Sequence, residues 1–471
     1  MNGKSNLTPA NNAGAEATGT QKSTGTKKNE SGGFLYPGLL LPFVLIVSCF
    51  AAWGISTDLT APMVNVFSSV FDMNAFQSAL VQFAYFGAYF LLAIPAAIIN
   101  TKLGFKGGVV LGMSMAALGA FMFFPASQIM TYAVFLAALF ILAGGLSIVE
   151  TSANPYVMSL GPEKNATRRL NFAQAFNPIG ANIGVLMATL LVAPHIRESV
   201  DKSGLSEDQL LEQTSQELEK VMIPYIILGV LYVALALSIF FVKVPKNKAM
   251  EETDFSNVPK GVVGRLWNNG TYRFGVVAQF FNVAAQTCIW TFIPFYIQYT
   301  LDADLKTAGW WLQISLVFFL VARFIMVWLM GKIEGRYLLT IMCGLGVVFT
   351  IIGILSGNVL GALCIVALSA CISLLFPTIY GISLTGVGRD TKFASSGLVM
   401  AIIGGAIAPM IQGAIQDATN PQVGFTFVLL CFIVIGAFGL YAIKHQKSDD
   451  IEEAPGACQA VCVWGFRVSV L

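Results

Sequence analysis

The chain has 471 residues, of which 56% are hydrophobic and only 11% charged, and its mean hydropathy is +0.72. Soluble domains carry about 25% charged residues, so this composition excludes a soluble globular protein and specifies a chain that crosses the bilayer many times. A formal net charge of +2 supplies no basic surface for nucleic acid.

In chain order, residues 1–35 are polar, rich in Gly, Ser, Thr, Asn and Lys, and show no cleavable leader, so they are expected to form a disordered tail. Apolar stretches then recur at 36–64, 77–99, 108–126, 132–158, 170–193, 222–242, 274–300, 308–330, 337–356, 359–385, 393–415 and 423–443. Each approaches or exceeds the ~20 residues that cross a hydrocarbon core, which makes twelve expected spans. The charged connection 243–273 divides them into a first half, 36–242, and a second half, 274–443, leaving a tail at 444–471. Of the 27 Lys and Arg, 22 fall on the side shared by both termini, four fall opposite, and Arg323 lies within a span. That asymmetry places both termini in the cytoplasm of a cell-membrane protein. Six of the eight cysteines lie in apolar runs, where Cys is a packing residue, and the pair Cys458 and Cys462 is too little for a metal site.

The halves read as repeats. Asn-Pro-Tyr-Val from Asn154 near the end of span four matches Phe-Pro-Thr-Ile from Phe376 near the end of span ten. Spans five and eleven both carry closely spaced glycines, Gly180 and Gly184, then Gly404 and Gly405, which allow helices to approach closely in lipid. The fold class is therefore an all-α membrane protein of two six-helix repeats, with its site at the repeat interface near mid-membrane.

Glu150 is the only charge in the 29 residues Tyr132–Leu160. A charged side chain near mid-membrane costs ~2.5 kcal/mol or more, so a carboxyl there is suited to exchanging a proton rather than staying ionised. The competing reading is a neutral Glu bonded to a neighbouring helix. Asp58, in a polar break late in span one, is either a second coupling acid or a solvated residue at the outer end. Arg323 cannot relay protons and is expected to be structural. Asn171, Gln174 and Asn177 share a face of span five, Asn154 lies one turn after Glu150, and Asn282, Gln286 and Trp290 repeat at helical spacing in span seven. Amides with aromatic faces, Trp53 and Trp290, suit a neutral sugar, although each amide alone could be interhelical glue worth about 0.6–2 kcal/mol. His195 and His445 are both placed outside the spans, and no catalytic constellation appears.

Four segments carry a resemblance to a known family: LSIVETSANPYVMSLGPEKNATRRLNFAQAFNPIGANIGV (Leu146–Val185), VAAQTCIWTF (Val283–Phe292), VARF (Val321–Phe324), and FPTIYGISLTGVGRDTKFASSGLVM with the following IIGG (Phe376–Gly405). The chain resembles the fucose–proton symporters of the major facilitator superfamily over roughly residues 40–440. The resemblance implies that Glu150 couples protons and that Gln174, Asn177 and Trp290 line the sugar site. One departure stands out. The family's span-one Asp, eight residues after the tryptophan, would fall at Ala61, and Asp58 lies one turn earlier. Asp58 then either substitutes for it or bonds sugar, leaving Glu150 to couple alone.

The expected function is import of a monosaccharide, L-fucose first, with a proton as coupling ion and no other cofactor, by a monomer in the bilayer. Glucose, galactose or N-acetylglucosamine carriers, coupled or facilitative, are the alternatives. A non-transporting nutrient sensor is the alternative of another class.

Overall fold

The computed structural model describes residues 33–70, 75–129, 131–192, 207–243 and 260–452, and their regular structure is entirely helical. Most of the expected N-terminal tail, residues 244–259 of the expected linker and residues 453–471 lie outside the described residues. Ten helices are long and apolar enough to cross a membrane. One of these, Phe83–Ile129, is 47 residues long and breaks at Gly104, whose φ of 68° is left-handed and so suits glycine, into spans two and three. Span five, built of two shorter helices, Ala166–Gln174 (9 residues) and Phe176–Met187 (12 residues), completes twelve. Helices are the form lipid demands, because every backbone polar group finds its partner within the segment.

The remaining spans are one (Leu40–Val70), four (Tyr132–Ser159), six (Glu207–Phe241), seven (Gly270–Leu301), eight (Leu305–Leu329), nine (Gly335–Leu355), ten (Val359–Leu384), eleven (Gly388–Ala418) and twelve, which ends with Thr426–Glu452. Two boundaries differ from expectation. The last helix runs through Glu452, so the final span continues into the expected tail. The expected linker contains a short helix, Val262–Asn268, and the first turn of span seven. Arg265 of that helix holds both oxygens of Asp390 at 2.7 Å, which ties the linker to the start of span eleven.

The glycines in spans five and eleven work as close-approach points. A Cβ at Gly180 would lie 1.8 Å from the Ala51 carbonyl oxygen, and one at Gly54 would lie 2.0 Å from that of Asn177, so spans one and five pack backbone to backbone. Gly404 does the same for spans seven and eleven, 2.4 Å from the Phe280 oxygen. In lipid such packing draws on van der Waals contact rather than on exclusion of water.

The apolar interior forms two clusters. One belongs wholly to the second half. The other fills the first half and also takes in Tyr272, Phe376, Tyr380, Leu398 and Ile402 from spans seven, ten and eleven. The halves are thus fused toward one membrane face, the one bearing residues 33–39 and Lys243, called the terminal face below. Arg169, fully buried, staples that face by donating to the backbone oxygens of Phe34, Val157, Met158, Gly161 and Pro162.

Candidate functional site

Between the halves lies a cavity of about 280 Å³. Its first-half wall includes Trp53, Thr57 and Asp58 from span one, Tyr85 and Tyr89 from span two, and Gln174 and Asn177 from span five. The second half contributes Gln286, Thr287 and Trp290 from span seven, Phe319 and Arg323 from span eight, and Phe376 from span ten. Amides, hydroxyls and two indoles therefore converge on a space at the small end of the range for ligand pockets.

Three residues expected at the site stand behind this wall. Glu150 is only 1% exposed; Asn154 is its hydrogen-bonding neighbour, and no Lys or Arg pairs with it among the described residues. Around it are Asn154, Tyr85, Tyr89 and Tyr380, of which the first-half tyrosines line the cavity. Asn154 is fully buried and accepts from Gln174 Nε2 at 2.8 Å, so it links the acid to a wall residue instead of facing a ligand. Asn282 is also fully buried, one turn nearer the terminal face than Gln286, and both ends of its amide are unpartnered. Periodicity placed it on the Gln286 face, and packing of the halves below the cavity closes that face off.

Arg323 meets no carboxylate among the described residues. It donates to the backbone oxygens of Ser373 (2.6 Å) and Gln174 (3.0 Å) and lies 4.7 Å above the Phe319 ring. Trp290 stands edge-on to the same ring, with centroids 5.1 Å apart, and its indole donates to Ser369 Oγ. Trp53 turns its indole nitrogen toward the Tyr85 and Tyr89 hydroxyls. Asn177 Nδ2 reaches the Phe50 oxygen at 3.4 Å, a weak bond that leaves the amide available.

The sequence reading missed the hydroxyl face. Tyr85 and Tyr89 fall at i and i+4 in span two, and a buried tyrosine hydroxyl ordinarily finds a partner, so two tyrosines on one face of an apolar run were the available signal. Thr57 bridges to Tyr85 at 3.3 Å.

The hydrogen bonds that cross between the halves lie on the terminal side of the cavity. Arg168 donates to Val327 O, Asn171 to Thr378 Oγ1, Arg323 to Gln174 O and Ser395 to Thr151 O. Gly381 leaves room for Thr167, whose Oγ1 would lie 2.4 Å from an added Cβ. The terminal face is closed. Arg168 entered the sequence reading only as a topology charge, and Asn171 only as an amide on a shared face. Their partners lie more than 150 positions away, beyond the reach of periodicity.

A family model of the Major Facilitator Superfamily matches residues 43–403. The L-fucose-proton symporter of Haemophilus influenzae is 39% identical over 87% of this chain and 98% of its own length. The L-fucose-proton symporter of Escherichia coli is 34% identical over 85% and 93%, and a glucose/galactose transporter of Brucella abortus 29% over 89% and 97%. A crystal structure of FucP, a Major Facilitator Superfamily transporter in the outward conformation, superimposes with a TM-score of 0.78 at 32% identity, covering 86% of this chain and 99% of that one. The twelve spans, the repeated glycine contacts and these matches lead to one conclusion: the chain belongs to the Major Facilitator Superfamily.

Proposed function

We propose that this chain is a proton-coupled importer of L-fucose, a carrier and not an enzyme, with the terminal face in the cytoplasm. The observation that carries the reading is a carboxyl with no cation paired to it among the described residues, Glu150, buried one residue behind a cavity walled by amides, hydroxyls and indoles. Two L-fucose-proton symporters among the relatives support the choice of sugar. An ionised carboxylate with no cation beside it is strongly disfavoured in a dry site, so Glu150 takes up a proton before the site closes around sugar. Gln174, Asn177 and Gln286 then bond the sugar hydroxyls, and Trp53 and Trp290 cover its C–H faces. Asp58 on the wall serves as a second acid or as a further acceptor. The halves rock, the terminal-side bonds between Ser395 and Thr151 and between Asn171 and Thr378 separate, and the proton leaves Glu150 to water on the cytoplasmic side.

The glucose/galactose transporter among the relatives favours a second reading, in which the same cavity takes an aldohexose. Both readings are tested together. De-energised cells expressing the protein receive pulses of L-fucose, D-galactose and D-glucose in weak buffer while external pH is followed. Alkalinisation with L-fucose supports the proposal, alkalinisation with galactose or glucose alone supports the second reading, and silence with active labelled-sugar counterflow removes proton coupling.

A further inference from the structure

A second concavity, a trough of about 1260 Å³, opens on the outside of the bundle, far from the sugar cavity in character. Phe90 and Ile94 of span two form one wall, Val277 and Phe280 of span seven the floor, and Met400 and Ile403 of span eleven the other wall. Its end at the terminal face is closed by the linker helix, which presents Trp267 (67% exposed) and Val263 (75% exposed) outward. The apolar walls suit hydrocarbon. The trough follows span seven from Gly270 to Phe280, ten residues or ~15 Å of helix, which is half of a ~30 Å hydrocarbon core. One leaflet's worth of acyl chain matches that depth.

The charge at its mouth completes the match. Two arginines stand here, Arg265 within the linker helix and Arg273 in the first turn of span seven. Arg265 is neutralised by Asp390 through two 2.7 Å bonds. Arg273 lines the trough, lies 5.9 Å from the Trp267 ring, and has no carboxylate in reach among the described residues. An unpaired guanidinium above an indole at the level where span seven begins is a fitting seat for a phosphodiester.

We propose that this trough binds one anionic glycerophospholipid from the leaflet at the terminal face, with an acyl chain along Val277 and Phe280 and the headgroup phosphate on Arg273. Span two belongs to the first half and spans seven and eleven to the second, so the trough keeps its shape only while the two halves stay together at that face. A lipid that fills it stabilises the terminal-closed state by its differential affinity for that state.

The test uses the full-length protein in phosphatidylcholine nanodiscs containing a few mole per cent of phosphatidylglycerol or phosphatidylcholine with brominated acyl chains. Tryptophan quenching is read as the difference between wild type and Trp267→Phe, which isolates this indole among the seven in the chain. Brominated phosphatidylglycerol should be enriched about fivefold over brominated phosphatidylcholine at Trp267, the preference a single cation confers near an anionic lipid. Arg273→Gln should equalise the two lipids, and Arg273→Lys should keep much of the preference. Val277→Phe, which narrows the trough and leaves the cation in place, should lower it. Millimolar inorganic phosphate should leave it intact. Equal quenching by the two lipids in wild type, or a preference that survives Arg273→Gln, overturns the proposal; so does a preference abolished by inorganic phosphate, which would assign Arg273 to a soluble anion. None of these outcomes depends on sugar or proton movement, so they stand apart from the test of transport.

Discussion

On the first-half side of the cavity, the Trp53 indole, the Tyr85 and Tyr89 hydroxyls and, behind them, Glu150 and Asn154 are polar side chains that face one another. On the second-half side, Trp290 donates to Ser369, Ser369 and Ser315 share a 2.5 Å bond, and Arg323 donates to two backbone oxygens and covers Phe319. The halves are repeats in architecture but hold their cavity-side polar groups differently. On the proposed function, side chains that face mainly one another are free to re-pair with a proton or a ligand, and those tied to the backbone or to a hydroxyl behind the wall act as scaffold. The first half is then the working wall and the second half the rigid one.

The sharpest way to break this comparison is Glu150→Gln. Uphill accumulation of sugar should be lost while labelled-sugar counterflow persists and becomes insensitive to external pH, because an amide cannot exchange the proton. Unchanged uphill transport in that variant would move proton coupling elsewhere. Next in size, Gly180→Val drives a side chain into the Ala51 carbonyl, and overpacking of this kind costs about 1–3 kcal/mol, readable as a lower unfolding temperature in detergent. The matching Gly404→Val should behave alike, since it meets the Phe280 carbonyl.

Arg323→Met tests the rigid wall. It leaves the Ser373 oxygen without its donor and removes a bond between the halves at Gln174, a loss of about 1–3 kcal/mol in stability. If thermal stability is unchanged while coupling fails, Arg323 belongs to the working wall and the comparison is wrong. The smallest effects come from the two indoles. Trp290→Phe gives up the bond to Ser369 and should cost about 1 kcal/mol, whereas Trp53→Phe gives up only its contacts with the Tyr85 and Tyr89 hydroxyls of the cavity wall and should cost less stability while weakening sugar binding.

Much of the fold was legible in one dimension. Span lengths, the repeated glycines and the singular position of Glu150 follow from hydropathy and spacing, and seven of the expected site residues, Trp53, Asp58, Gln174, Asn177, Gln286, Trp290 and Arg323, line one cavity. Asn154 and Asn282 show where spacing stops. Both sit at correct helical intervals, yet both are buried behind the wall, Asn154 against Gln174 of the following span. Tyr85, Tyr89 and Thr57 show the converse: the i, i+4 tyrosine pair is a weak local signal, and only the convergence of spans one, two and five makes these hydroxyls one face of the cavity.

By itself, the sequence determined that this is a twelve-span carrier with an acid in its interior, because apolar length, charge asymmetry and an isolated carboxyl are properties of consecutive residues. Only the tertiary structure decided which amides face the cavity, which polar atoms go unpaired and which face is closed. Ser395 bonds Thr151 across 244 positions and Arg323 bonds Gln174 across 149, and a hydrogen bond depends on distance and angle between helices that no local pattern encodes.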